Sequence, residues 1–296
     1  MVVEKFDIAD PVRTQAILDR YQIQAHKSLG QNFLRDPHVI DQIVASAQIH
    51  PQDIILEIGP GIGGLTQQLA KEAKHVYAWE IDQHLIPILQ ENLAAMTNIT
   101  IMQADILKVD LPKFFVEHNL QQSSVKVVAN LPYYITTPIL LRILQADVPL
   151  KQLVLMMQKE VAERICARPR HKEYGALSVA VQTKSAVEIT QIVSHEAFVP
   201  QPKVDSAVVS FDLLADLPVK VTDYAALMKF VQAIFRQKRK TLWNNLLVYV
   251  GKTTTHKEQL QLIYDQLEYP TNIRAEELSL EQIVQLQQLV AEQITL

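Results

Sequence analysis

Short apolar runs bounded by polar residues or glycine, each far enough from the next to admit a helix, set the first reading of this chain. They are Asp53–Ile58, Val76–Ile81, Ile99–Ala104, Val125–Asn130 and Leu150–Met157. Runs of this length with little alternation are the pattern of strands buried on both faces. Between them lie stretches with helical spacing: Leu65–Lys71, Pro138–Gln145 and His84–Met96, with Pro87 near the start of the last, where proline is tolerated. Strands alternating with helices predict an α/β domain built on a mostly parallel sheet. Two later runs, Ala186–Val193 and Ala207–Leu213, are joined by the proline-bearing loop His195–Val204, which is too long for a tight hairpin. They fit an antiparallel pair closing the sheet. Beyond Leu213-Leu-Ala-Asp-Leu-Pro218, read as a linker, the spacing is helical throughout: Tyr224–Arg236, Lys240–Val248, Lys257–Leu267 and Ser279–Ile294. The expected organisation is an N-terminal extension (1–27), an α/β domain (28–214) and a smaller all-helical C-terminal domain (215–296). No internal repeat and no low-complexity tract interrupts it.

Composition narrows the classes. With 296 residues, 48% of them hydrophobic and 20% charged, the chain can bury two cores and is not a disordered one. The uncharged stretch Val127–Leu141 contains Asn130, Pro132 and Pro138 and makes a poor membrane span. Met1–Asp7 carries charges where a secretory signal needs an apolar run, so a soluble cytoplasmic protein is expected. The single cysteine, Cys166, excludes a disulfide scaffold and reads as a packed residue of a helix. The nine histidines lie nowhere closer than nine residues apart, so no local metal motif is present. A net charge of −4 argues weakly against a nucleic-acid partner, but the average hides a segregation. Residues 224–257 hold seven cations and no carboxylate, whereas 258–296 hold seven carboxylates against Arg274 alone. That asymmetry predicts a local electropositive face.

Glycine is informative because it is scarce. Of seven glycines, four (Gly59, Gly61, Gly63 and Gly64) fall between a predicted strand and a predicted helix. Gly59-Pro-Gly-Ile-Gly-Gly64 fits the dinucleotide fingerprint, with Glu80 at the end of the next strand to take the ribose hydroxyls. With Glu57 in front, it fits equally the acidic-x-G-x-G-x-G form of S-adenosyl-L-methionine sites. The turn therefore points to an adenosine cofactor and leaves open which one. Asp105 ends the third strand in register with Glu57 and Glu80, where a carboxylate can accept from the exocyclic amine of adenine.

Asn130-Leu131-Pro132-Tyr133, directly after the fourth strand, adds a chemistry that an oxidoreductase does not use. An aromatic amine is a feeble nucleophile because its lone pair is delocalised into the ring. Accepting hydrogen bonds from its N–H groups pulls the nitrogen towards a pyramidal geometry and aims the lone pair at a sulfonium methyl. Asn130 Oδ1 and a backbone carbonyl supply two acceptors, Pro132 stiffens the turn, and Tyr133 offers a stacking face, worth roughly 1–3 kcal/mol per base. Taken alone, Asn-x-Pro-Tyr is also an ordinary turn.

Together with the Glu57–Gly63 turn and Gly30-Gln-Asn-Phe-Leu34, these residues resemble the rRNA adenine N6-dimethyltransferases of the bacterial small-subunit type. The likeness runs along essentially the whole chain, through Lys159–Arg164, Tyr174–Ser178, Phe198-Val-Pro-Gln-Pro-Lys-Val-Asp-Ser206 and Phe235–Leu242. It implies a Rossmann-like class I methyltransferase sheet with a helical C-terminal domain. It implies S-adenosyl-L-methionine as cofactor, with Asn32 and Leu34 at its methionine end and Gly59, Gly61, Glu57, Glu80, Asp105 and Asn130 completing the site. It implies two methyl transfers to each of two adjacent adenosines near the 3′ end of 16S rRNA, during small-subunit maturation in a pre-30S particle. From the residues themselves, Lys27–Leu34 is only a loop leading to a helix that starts at Asp36-Pro37.

Two basic stretches are candidates for holding phosphates: Arg236, Lys238, Arg239 and Lys240, and Arg168 with Arg164, Arg170 and Lys172. The first also reads as a solvated helix face. Tyr174 and Phe198 are expected to flank the acceptor cleft, Phe198 either as a second stacking face or as support for the proline loop. A monomer is expected. The rival readings are a 23S rRNA methylase of the antibiotic-resistance type, a nicotinamide oxidoreductase on the same turn, and a non-catalytic RNA-binding module.

Overall fold

In the computed structural model the described residues are 7–26, 29–213, 219, 221 and 223–294. The signal-peptide reading of Met1–Asp7, all but Asp7, the first two residues of the Lys27–Leu34 loop, and the linker positions 214–218 lie outside them. In chain order the elements begin with α1 (Pro11–Arg20), β1 (Phe33–Leu34), α2 (Pro37–Ser46), β2 (Ile54–Ile58), α3 (Gly64–Glu72), β3 (His75–Glu80) and α4 (Leu85–Asn92). They continue with β4 (Ile99–Gln103), α5 (Leu111–Glu117), β5 (Val125–Asn130), α6 (Thr136–Gln145), β6 (Leu150–Gln158), α7 (Lys159–Cys166) and α8 (Ala176–Gln182). The last are β7 (Ser185–Val193), β8 (Phe198–Val199), β9 (Ser206–Leu213), α9 (Tyr224–Ile234), α10 (Leu242–Val250), α11 (Thr254–Gln266) and α12 (Leu280–Gln293).

The main sheet has the order β4-β3-β2-β5-β6-β9-β7. The pairs β4–β3, β3–β2, β2–β5 and β5–β6 are parallel, and β6–β9 is antiparallel, in keeping with the sequence pattern. Every residue of β2 is buried, which explains its uninterrupted apolar run. The chain order reverses direction between β2 and β5, so their carboxyl ends open on the crevice where doubly wound sheets bind ligands. A separate two-stranded pairing joins β1 to β8, with Leu34 opposite Phe198. As the Asp36-Pro37 signal predicts, the Asp36 side chain caps α2, accepting from the N–H of His38 at 3.0 Å.

Compactness divides the molecule into two units. One comprises the described residues up to Ala162 together with Val187–Leu213; the other comprises Glu163–Ala186 and the described residues beyond Leu213. Segment 163–186 joins the C-terminal helices because Ala167, Tyr174 and Val179 share one buried core with Leu227, Phe230, Leu246 and Ile263. Tyr174, which the sequence sets beside an acceptor cleft, is buried in that core. It is 1% exposed, edge-on to Phe235 at 6.0 Å between ring centroids, as a core residue of the second unit.

Candidate functional site

The site forms where β2, β3 and β5 end. Backbone geometry at the glycine turn comes first. Gly63 caps α3 with φ +96°, and a Cβ there would lie 2.9 Å from Leu89 Cδ1, so only glycine lets α3 start this close to α4. The Gly61 N–H donates to Glu80 Oε2 at 3.1 Å, and the Asp82 N–H donates to Glu80 Oε1 at 2.9 Å. The carboxylate at the end of β3 is thereby fixed beside the turn. Burial pushes the Glu80 pKa up, and the N–H groups of Asp82 and Gly61 offset part of the rise.

Glu57 is 1% exposed, and its Oε2 has no hydrogen-bond partner among the described residues. Burial pushes its pKa up to about 8, with the Glu80 charge adding to the shift and the nearby Thr66 hydroxyl offsetting it. That hydroxyl is itself buried and outside hydrogen-bond geometry with any partner. Asp105 stands just beyond β4, its Oδ1 accepting from the Leu107 N–H at 3.0 Å.

At the end of β5 the Leu131 N–H donates to the Met156 carbonyl at 3.1 Å, which anchors the Asn-Leu-Pro-Tyr turn to β6. Asn130 Nδ2 donates to the Asn32 carbonyl at 3.4 Å, and no donor among the described residues engages its Oδ1. The Pro132 carbonyl accepts from the Ile135 N–H and the Thr136 hydroxyl, so the turn consumes it locally. The Leu131 carbonyl has no partner among the described residues. Tyr133 shares a 2.7 Å hydrogen bond with buried Ser206 of β9, which anchors the tip of its side chain. Burial, more than the opposing Ser206 contact, holds its phenol above the usual range.

One cavity is lined by Asn32, Leu34, Glu57, Gly59, Gly61, Glu80, Asp105, Asn130, Leu131, Pro132 and Tyr133. These are all the residues that the sequence reading assigns to cofactor and acceptor. A Cβ on Gly59 would meet nothing nearer than the Asn130 carbonyl, at 3.9 Å, so the turn leaves room in front of it. That room, the orphaned Glu57 oxygen and the polar groups at successive strand ends fit an adenosine cofactor with a charged amino-acid end. The sequence reading misses Gln31 and Asp82: Gln31 Nε2 donates to buried Asp82 Oδ2 at 2.7 Å and ties the Asn32 loop to β3. It also misses Ile81 and Ile106, apolar members of the lining. Their only signal is position, each directly following an acidic residue at a strand end.

Phe198 does not line this cavity. It is 1% exposed, its backbone paired with Leu34, and its ring sits in a core with Val39, Ile40 and Val208. It is a core residue of this unit and is absent from the cavity lining. The five exposed cations Arg168, Arg236, Lys238, Arg239 and Lys240 belong to the second unit. Arg236–Lys240 are not on a helix face, because α9 ends at Ile234 and α10 begins at Leu242. The turn is pinned from inside: buried Asn245 accepts from the Gln237 N–H at 3.2 Å and donates back to its carbonyl at 3.2 Å. Lys238 Nζ donates to the Lys172 carbonyl, which brings the two basic stretches together within this unit. Among the described residues no group of metal-ligating side chains forms a site, and no helix is long and apolar enough to cross a membrane.

The model of the family described as ribosomal RNA adenine dimethylase matches residues 22–292. The chain is 48% identical over 287 residues to the ribosomal RNA small subunit methyltransferase A of Latilactobacillus sakei, covering 97% of each. A crystal structure of a dimethyladenosine transferase from Plasmodium falciparum is similar with TM-score 0.73 and 26% identity, over 88% of this chain and 98% of that one. The crystal structure of the 23S rRNA methyltransferase ErmE is similar with TM-score 0.66 and 26% identity, over 88% of this chain and all of that one. With matches of this extent, the chain belongs to the ribosomal RNA adenine dimethylase family.

Proposed function

We propose that this protein uses S-adenosyl-L-methionine to dimethylate the N6 amines of two adjacent adenosines near the 3′ end of 16S rRNA. It acts on a pre-30S particle, as a cytoplasmic monomer. The observation that carries the reading is the pair of unengaged acceptors, Asn130 Oδ1 and the Leu131 carbonyl, lining one cavity with the Tyr133 ring. The much higher identity to a small-subunit enzyme than to a 23S enzyme supports the substrate. Family membership speaks against the oxidoreductase and the purely RNA-binding alternatives.

Asn32 and Leu34 would hold the methionine end of the cofactor, Glu57 would face its charged group, and Glu80 and Asp105 would take the ribose hydroxyls and the adenine amine. Bound there, the cofactor supplies an electrophilic sulfonium methyl group. Tyr133 stacks on an adenine drawn out of the RNA, its side chain anchored by Ser206. Asn130 Oδ1 and the Leu131 carbonyl accept hydrogen bonds from the two N6–H groups and aim the nitrogen lone pair into the cavity. No strong base is required, because the amine proton turns acidic as the new N–C bond forms, and water removes it. After one transfer the base still has one N–H to present; after two it has none, so the acceptors release it. The cations of Arg168 and of the Arg236–Lys240 turn grip phosphates without reading sequence.

The test incubates the protein with methyl-labelled cofactor and undermethylated 30S particles, 50S particles or free rRNA, then maps the label. Dimethylated adenosines at the 16S 3′ end are expected. Label confined to 23S rRNA, or no transfer at all, would overturn the reading.

A further inference from the structure

Next to Tyr133 stands a second tyrosine that the chemistry above does not use. Tyr134 is 54% exposed, in the single 3-10 turn Tyr133–Ile135. A lone exposed apolar side chain needs no explanation, and Val12 and Leu262 are more exposed still. Tyr134 differs from them in two respects. Its neighbours on both sides, Tyr133 and Ile135, line the cavity. Its ring also lies against Gly30, another residue of the cavity lining: a Cβ on Gly30 would lie 3.0 Å from Tyr134 Cδ1 and 3.2 Å from Cε1. Gly30 has φ +61°, so glycine is needed there both for the backbone and for the close approach of the ring. The ring is thus fixed at the mouth of the acceptor cavity while half of it stays open to solvent.

Geometry also limits what can meet it. Once one base is drawn into the cavity against Tyr133, the next nucleoside of the same strand remains at the mouth. An aromatic ring held in place and half exposed is a surface on which an unpaired base can stack. We propose that Tyr134 is the stacking platform for the nucleoside adjacent to the adenosine being methylated, so that the two target adenosines occupy Tyr133 and Tyr134 in turn. This rests on the reading of the substrate given above.

The experiment measures first-turnover methyl transfer to undermethylated 30S particles by the wild type, Tyr134→Phe and Tyr134→Leu. Leucine keeps an apolar contact on Gly30 and removes the ring; phenylalanine keeps the ring. Tyr134→Leu is expected to raise KM about tenfold with kcat little changed, and Tyr134→Phe to match the wild type. On particles in which one adenosine of the pair is replaced by an abasic nucleotide, prepared for each position, the penalty of Tyr134→Leu should shrink to under twofold for at least one of them. Calorimetry of cofactor binding should give equal affinities for all three proteins. A penalty of the same size on every particle, no penalty on any, or a loss of cofactor affinity in Tyr134→Leu overturns the proposal, the last by showing the ring to be a prop for the Gly30 loop. Absence of 16S methylation by the wild type would instead remove the parent reading, and this proposal with it.

Discussion

Strands β2 and β5 lie side by side, and each carries polar groups at both ends, yet the two ends are treated in opposite ways. At the amino end, buried Lys126 uses its ammonium fully, donating to Asp53 Oδ2 at 2.9 Å, the Ala47 carbonyl at 2.9 Å and the Gln48 carbonyl at 2.7 Å. Asp53 in turn accepts from the His50 N–H at 2.8 Å. At the carboxyl end, Glu57 Oε2, Asn130 Oδ1 and the Leu131 carbonyl have no donor among the described residues. A buried carboxylate oxygen is normally paired, and Glu57, Asn130 and Leu131 line one cavity, so these open acceptors mark where a ligand can complete the pairing. The amino end secures the fold; the carboxyl end is held rigid but left open for cofactor and base.

The comparison breaks most visibly at its stable end. Lys126→Met strands the Asp53 carboxylate in a buried setting and should lower unfolding free energy by about 3–5 kcal/mol. Urea denaturation measures it, and a loss below about 1 kcal/mol would mean that the two ends contribute alike. Asn130→Ala is the converse. It removes one of two acceptors positioned for the reacting amine and should cut kcat for methyl transfer by about 10²–10³-fold, with thermal stability nearly unchanged. An Asn130→Ala protein that transfers methyl groups at the wild-type rate would sink the catalytic assignment.

Glu57 sharpens the comparison through pH. Burial raises its folded pKa from an ordinary 4.5 to about 8. Between those values the folded protein holds a proton that the unfolded chain has already released. The contribution of Glu57 to stability is therefore full below about pH 4.5 and is lost as pH rises through about 8. Glu57→Gln, neutral throughout, should show a shallower fall in Tm between pH 5.5 and 8.5, with Glu80, shifted in the same direction, retaining part of the slope. Parallel Tm–pH curves for the two proteins would show that Glu57 is ionised in the folded state.

What the sequence shows of all this follows from how local each signal is. The strands, the glycine turn and the Asn-Leu-Pro-Tyr turn are contiguous motifs whose patterns follow from burial and backbone geometry, and the structure gathers them at one cavity. Gln31 and Asp82 are invisible because their contact joins residues 51 positions apart with no shared pattern. Phe198 is ambiguous because a phenylalanine serves a core or a base equally well, and only the β1–β8 pairing places it in the core. Segment 163–186 reads as part of the α/β run, since nothing in its composition reveals that Tyr174 and Val179 pack with helices far along the chain. The basic stretch shows its charge in sequence, but its form as a turn depends on Asn245 reaching back to Gln237.

That turn gives the smallest effect per residue and the last contrast with the carboxyl end. Arg236, Arg239 and Lys240 are exposed, and no ion pair between them and a carboxylate is seen among the described residues. Removing any one of them should cost little affinity and no stability, because a solvated cation is weakly coupled to its surroundings. Their joint replacement by Gln acts through counterion release instead. If each holds one phosphate of a single-stranded segment, the slope of log affinity against log salt flattens by about 2 in all. Tm should stay at the wild-type value, because the Asn245–Gln237 contacts that shape the turn are left intact. Lys238 is left out of this variant because its ammonium also donates to the Lys172 carbonyl, so replacing it would mix a structural loss with an electrostatic one. Titration of the triple variant against undermethylated 30S particles at several salt concentrations reads the slope directly. A slope equal to that of the wild type would take the turn out of the RNA contact and leave its charge a feature of the solvated surface.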